Sequence, residues 1–172
     1  IIGGYSSGSG REIYALNHDL THVDGFPVLV NEKIQKGVSL ADFNGNGKDD
    51  IVFGTDNDNI YLMLDNGEIA PGFPFETGGA IKSSPTILEI SGQLIIFASS
   101  TDGVLYAINP DGTNRFQFTA NDPITTSPSF LDYLDQCYIF FGDDDGYIYA
   151  LDANGTLLPN FPINFNSSIV GS

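Results

Sequence analysis

A chain of 172 residues with 41% hydrophobic side chains can build one well-packed domain. Its 22 acidic and 6 basic residues leave a net charge of −16, which repels nucleic-acid phosphates and anionic lipid headgroups and makes both poor partners. A single cysteine, Cys137, rules out an intrachain disulfide, and no apolar run approaches the roughly 20 residues a membrane helix needs.

The chain opens at Ile1 with no Met, basic n-region or signal h-region, which fits a processed product or an internal fragment of a longer polypeptide. Ile1-Ile2-Gly3-Gly4 reads as a strand like Ile51-Val52-Phe53-Gly54 further along. A turn-forming stretch (6–10) leads into Ile13-Tyr14-Ala15-Leu16-Asn17, and a turn with Gly25-Phe26-Pro27 follows. The pattern then recurs. Ile60-Tyr61-Leu62-Met63-Leu64 precedes Gly72-Phe73-Pro74, and Leu105-Tyr106-Ala107-Ile108-Asn109 precedes Arg115-Phe116-Gln117-Phe118. Ile148-Tyr149-Ala150-Leu151-Asp152 precedes Asn160-Phe161-Pro162. The tyrosines stand 47, 45 and 43 residues apart, a period that suits a four-stranded propeller blade.

The clearest period predicts strands at 84–90, 94–99, 104–109 and 115–119, rich in Ile, Val, Phe and Tyr and separated by Gly, Asp, Asn, Ser and Pro. No long segment carries helical periodicity with caps at both ends. At the C-terminus, 166–172 matches the first strand of a blade (82–87). The expected fold is therefore all-β, a propeller of about four four-stranded blades forming a single domain over 1–172. The repeats fall at about 1–30 (with 166–172), 31–76, 77–120 and 121–165, one blade being split between the termini. Closure by the chain alone, an eight-bladed ring of two chains, and a slice of a longer propeller are all open on this reading.

The second repeat contains Asp42-Phe43-Asn44-Gly45-Asn46-Gly47-Lys48-Asp49-Asp50 between two predicted strands (38–41 and 51–53). Oxygen-bearing side chains at positions 1, 3, 5 and 9 of a tight loop can converge on calcium, which takes six to eight hard oxygen ligands. Asp42, Asn44, Asn46 and Asp50 are the expected side-chain ligands, with the Lys48 carbonyl at position 7 and Asp49 directed away. Gly45 and Gly47 allow the positive φ the turn demands. Phe53 stands where an EF-hand would carry its Glu, so this is a β-loop site. Two carboxylates and two amides predict an affinity near the roughly 10⁻⁴–10⁻³ M of extracellular modules. The corresponding turns at 89–93 and 132–136 lack the spacing, so one Ca²⁺ site is expected.

The segment from Asp42 to Gly54 resembles the FG-GAP/VCBS repeat of secreted and surface proteins, seen also in integrin α-subunit propellers. Gly146-Tyr147-Ile148-Tyr149-Ala150-Leu151-Asp152 resembles a blade of the quinoprotein-like (PQQ-like) propellers. The first resemblance implies Ca²⁺ on Asp42, Asn44, Asn46 and Asp50. It also implies a role in adhesion, ligand binding or as an accessory domain of a secreted enzyme. A quinone-dependent dehydrogenase is disfavoured, because the chain has no Trp.

Catalytic signals are weak. His18 and His22 have the offset of two zinc ligands on a helix, but no helix, intervening Glu or third ligand accompanies them. Asp143, Asp144 and Asp145 read as a solvated turn, and Cys137, within an apolar run, as a buried inert thiol. The expected function is an extracellular or cell-surface, calcium-stabilised, non-catalytic module that binds protein or carbohydrate. The alternatives are a strand-exchanging structural subunit of an oligomer or filament, and part of a secreted polysaccharide-degrading enzyme. Asn154 and Asn166 lie in glycosylation sequons.

Overall fold

The computed structural model describes residues 2–3, 11–134 and 136–169, the first two as backbone only. Fifteen strands form four antiparallel sheets and no helix is present among these residues. The first sheet has three strands: β1 (Ile2–Gly3), β2 (Glu12–Tyr14) and β3 (Val28–Leu29). The other three have four strands each in simple meander order. They are β4 (Ser39–Ala41), β5 (Asp50–Gly54), β6 (Asn59–Met63) and β7 (Phe75–Glu76); β8 (Thr86–Ile90), β9 (Gln93–Ser99), β10 (Val104–Ile108) and β11 (Asn114–Thr119); and β12 (Ser129–Tyr133), β13 (Gln136–Gly142), β14 (Tyr147–Asp152) and β15 (Ile163–Asn164). The chain is an all-β propeller, and Tyr14, Tyr61, Tyr106 and Tyr149 fall one to a sheet, on β2, β6, β10 and β14.

Alternation along the strands decides which neighbour each residue meets. In β9, Ile96 and Ala98 pack toward the second sheet while Ile95 and Phe97 pack toward the fourth. Three cores result, one at each junction between successive sheets. Ile13, Ala15 and Phe26 meet Ile51, Phe53 and Met63; Val52, Ile60 and Leu62 meet Ile96, Ala98 and Ile108; Phe97, Leu105 and Ala107 meet Ile139, Phe141 and Leu151. Two sheets are thus needed to bury either face, which is why the fold requires repetition.

The links between blades follow one path. Ile81 N–H bonds Thr55 O at 3.0 Å and Ile124 N–H bonds Ser100 O at 3.1 Å, each as the chain crosses to the next sheet. Ile169 N–H does the same to Asp143 O at 3.4 Å on leaving the fourth sheet. Residues 166–169 lie in this link and are not strand, and 170–172, like residues 1 and 4–10, are outside the described residues. Ile2–Gly3 pairs with Tyr14 and Ile13, as a strand matching 51–54 is expected to, but the expected pairing of the two termini falls largely on undescribed residues.

Close contacts explain several glycines. Gly112, at φ +77°, lies so near the preceding blade that an added Cβ would stand 2.3 Å from Gly72 O. Gly67 is in the same situation against Gly25.

Candidate metal centre

The loop between β4 and β5 is built by its own side chains. Asp42 Oδ1 accepts the N–H groups of Gly45 (2.7 Å) and Asn46 (3.1 Å), and its Oδ2 accepts that of Gly47 (2.7 Å). Asn44 Oδ1 accepts the Asn46 N–H at 3.1 Å, and Asn46 Oδ1 accepts the Lys48 N–H at 2.8 Å. This winding is possible because Gly45 and Gly47 adopt φ of +74° and +83°.

Asp50 closes the loop from the start of β5. Its side chain is fully buried, at a strand position where the third sheet carries Ile95 and the fourth Tyr138. Its Oδ2 accepts the Phe43 N–H at 2.9 Å, and its Oδ1 accepts the Asp65 N–H at 2.9 Å, with Asn44 Nδ2 at 3.4 Å. Burial pushes the Asp50 carboxyl above the ordinary carboxylate range. The Phe43 and Asp65 amides oppose that shift, and the Asp65 and Asp42 charges add to it.

Asp42 and Asn44 thus share the Asn46 N–H, and Asn44 reaches on to Asp50. Asn46 leans outward, its Nδ2 donating to Asp65 Oδ1 at 2.8 Å. Asp49 is exposed and lines a cleft of about 510 Å³ between the first and second blades, together with His22, Asp24, Lys48 and Asp65. Asp65 is the member sequence reasoning missed. It sits in the β6–β7 turn, accepts Lys48 Nζ at 2.9 Å, and has its pKa held low by Lys48 and then by Asn46. Its only sequence signal is Asp65-Asn66-Gly67, an ordinary turn triplet. Among the described residues no three His, Cys, Asp or Glu side chains form a metal-holding cluster. The loop instead gathers two carboxylates and the side-chain amides of Asn44 and Asn46. It suits a hard cation that accepts neutral oxygen ligands, and not zinc.

The third and fourth sheets turn differently at this position. β8 and β9 are joined by a two-residue turn at Ser91 and Gly92, with φ of +55° and +79°, and Tyr133 pairs directly with Gln136 across the β12–β13 turn.

The remaining candidates resolve into structure. His18 is exposed in a turn, and His22 bridges Leu16 and tilts against the Tyr14 ring at 5.9 Å. Cys137 is half-buried, its thiol pushed up to about 11 by burial and then by Asp132. Asp143 corrects the expectation of a solvated acidic turn: it is fully buried, accepting the Tyr147 N–H at 2.8 Å and the Tyr149 hydroxyl at 2.9 Å. Asp144 accepts from Thr125, and only Asp145 of the three is exposed.

Comparison with known proteins agrees on the fold. Residues 88–167 match the family model of the lambda-carrageenase β-propeller domain. BamB from Moraxella catarrhalis is 17% identical, with a TM-score of 0.60 over 81% of this chain and 39% of its own. Sqt1 from Saccharomyces cerevisiae is 16% identical, with a TM-score of 0.69 over 94% and 45%. BBS1N, solved in complex with ARL6DN, is 14% identical, with a TM-score of 0.63 over 93% and 48%. The chain thus spans less than half the length of each of these three structures. No curated protein sequence matches it. Common to these matches and to the resemblance read from the sequence is the β-propeller.

Proposed function

We propose that this chain is an extracellular, calcium-stabilised propeller module that serves as a non-catalytic scaffold and presents its loops to a protein or carbohydrate ligand. The observation that carries the calcium reading is Asp50, a fully buried carboxylate whose hydrogen-bond partners are backbone N–H groups and one amide, with no cationic side chain among them. A divalent cation supplies the missing charge. Asp42, Asn44, Asp50, the Asn46 amide oxygen and the Lys48 carbonyl would hold it. The modest affinity expected of two carboxylates fits the millimolar calcium of an extracellular setting.

A non-catalytic role is supported by how these acids are used: the buried Asp143 and the part-buried Asp102 and Glu32 each hold a tyrosine hydroxyl. Binding is supported by the rigid arrangement of sheets with loops at their ends and by a neighbour solved with a protein partner. With a net charge of −16, a neutral glycan or a basic protein face suits the surface better than an anionic polymer. The match to a carrageenase propeller domain favours, as a second reading, an accessory domain of a polysaccharide-degrading enzyme.

Melting with and without calcium tests the ion. A rise in Tm at millimolar Ca²⁺ that is absent in Asp42→Ala supports it, and an equal rise in that variant rejects it. A glycan array run beside a polysaccharide-degradation assay separates binder from enzyme.

A further inference from the structure

Each sheet turns a forward face to the blade that follows it and a backward face to the blade before it. On the forward face, Ile13, Ile60 and Leu105 occupy one position, paired with Val28, Phe75 and Phe118. All three are fully buried by the next sheet. In the fourth sheet the same pair is Ile148 and Ile163, yet Ile148 is only part-buried and Ile163 is 42% exposed. Val52 and Phe97 are likewise fully buried where Phe140 is not. Leu131 and Tyr133 on that face are 51% and 60% exposed. The link residue repeats the pattern: Ile81 and Ile124 are buried, whereas Ile169, on the same path, is not.

The first sheet is open on its other side. Tyr61, Tyr106 and Tyr149 point backward and are buried by the preceding blade. Tyr106 and Tyr149 also accept N–H groups from it, those of Gly78 and Asn121, both at 3.0 Å. Tyr14 is part-exposed, and its hydroxyl turns to Glu12 of its own strand at 2.5 Å. Leu29, on the neighbouring strand, is 53% exposed. Among the described residues, the three cores join sheets one to two, two to three and three to four, and none joins four to one.

We propose that these two open faces form one interface shared between two molecules. The fourth sheet of one copy packs on the first sheet of a second copy, and the reciprocal contact closes a two-fold ring of eight sheets. The occupant follows from what covers such faces inside the chain. Three times a forward apolar face is covered by the Tyr-bearing backward face of the next sheet, and the one such face left uncovered is that of Tyr14. Reach agrees with this: the chain spans 39–48% of three of the propellers it aligns with, so two arcs of this size come close to those propellers in length. Asn166 is also in place, because the Phe165 N–H to Gly146 O bond repeats that of Ala120 to Gly103, which makes Asn166 the counterpart of Asn121. Its N–H, bonded to Asn164 Oδ1 at 2.6 Å in the single chain, is the donor for Tyr14 of the second copy.

The seam is not a copy of the internal ones at its rim. Where Gly67 and Gly112 press on the preceding blade, the first blade carries Leu20, 77% exposed. The strand faces and not the turns therefore supply the contact. Both copies carry a charge of −16, so their long-range repulsion opposes association and salt relieves it.

Sedimentation velocity of the 172-residue chain tests the proposal. The expected result is one species of twice the 18.5 kDa chain mass, tightening as salt rises from about 0.1 M to about 1 M and the screening length falls from ~10 to ~3 Å. The double variant Leu131→Glu, Ile163→Glu changes side chains exposed in the single chain. It is expected to keep its circular dichroism and melting cooperativity and to associate at least tenfold more weakly. A wild-type chain that stays monomeric to sub-millimolar concentration overturns the proposal. So does an open-ended polymer, or a folded double variant that dimerises as tightly as wild type.

Discussion

Tyr149 donates its hydroxyl to the buried carboxylate of Asp143 at 2.9 Å and takes the N–H of Asn121, from the link preceding its own blade, at 3.0 Å. One phenolic oxygen thereby ties a strand to its own turn and to that link. Removing it in Tyr149→Phe leaves a buried carboxylate oxygen and a backbone N–H each short of a partner. The expected loss is about 1–3 kcal/mol, read by urea denaturation, or a Tm lower by roughly 2–4 °C for each kcal/mol. An unchanged midpoint would show the bond to be incidental.

The same arrangement sets the behaviour in alkali. Tyr61, Tyr106 and Tyr149 are all pushed up to about 12, first by burial and then, for Tyr61 and Tyr106, by the carboxylate that accepts the hydroxyl. Their folded pKa lies above the ordinary value of 10.0, so the folded chain holds these protons more tightly than the unfolded one. Their contribution to stability is complete below pH 10 and lost as pH rises toward about 12. Phenolate absorbance from these three tyrosines should appear together with unfolding. A smooth titration centred near 10 with the sheets intact would contradict it.

The tyrosines were legible in the sequence because they recur at near-constant spacing, one to each sheet. Their acid partners were not. Asp102 lies in the turn just before Tyr106, whereas Glu32 reaches Tyr61 from 29 residues upstream, and no spacing rule connects the two. Asp42 and Asp50 were legible because loop and strand spacing alone place them, while Asp65 entered the site through a second hairpin. Exposure of the forward face of the fourth sheet was hidden for a different reason. Ile148 and Ile163 have the same apolar character as Ile60 and Phe75, and only three-dimensional packing reveals that they are left partly exposed.

Leu20 sits at φ +67°, a conformation that costs a side-chain-bearing residue about 1–2 kcal/mol and glycine almost nothing. Its side chain is exposed and buries little to offset that. Leu20→Gly is expected to leave stability unchanged or raise it by up to about 1 kcal/mol. Gly112→Ala should do the reverse, because its Cβ would meet Gly72 O at 2.3 Å. That variant should lose more than the ~1 kcal/mol typical of a point mutation. Thermal melts of the pair side by side check both signs.

Calcium should act on the second blade before any other part. At an ion concentration about 100-fold above Kd, mass action alone adds roughly 2.7 kcal/mol to stability. Asp42→Ala removes a ligand and also three intraloop hydrogen bonds, so its Tm in chelator should already be lower than wild type. The decisive quantity is therefore the difference between calcium and chelator within each variant. That difference should vanish in Asp42→Ala and in Asp50→Asn. It should persist in Lys48→Met, because Lys48 is expected to offer only its backbone carbonyl while its ammonium pairs with Asp65 at the surface. Hydrogen exchange places the effect: protection gained with calcium should centre on the β4–β5 loop, the start of β5 and the Asp65 turn, which the Asp50 carboxylate joins. Protection gained instead in the fourth sheet would move the ion away from Asp50 and leave its buried charge without a partner.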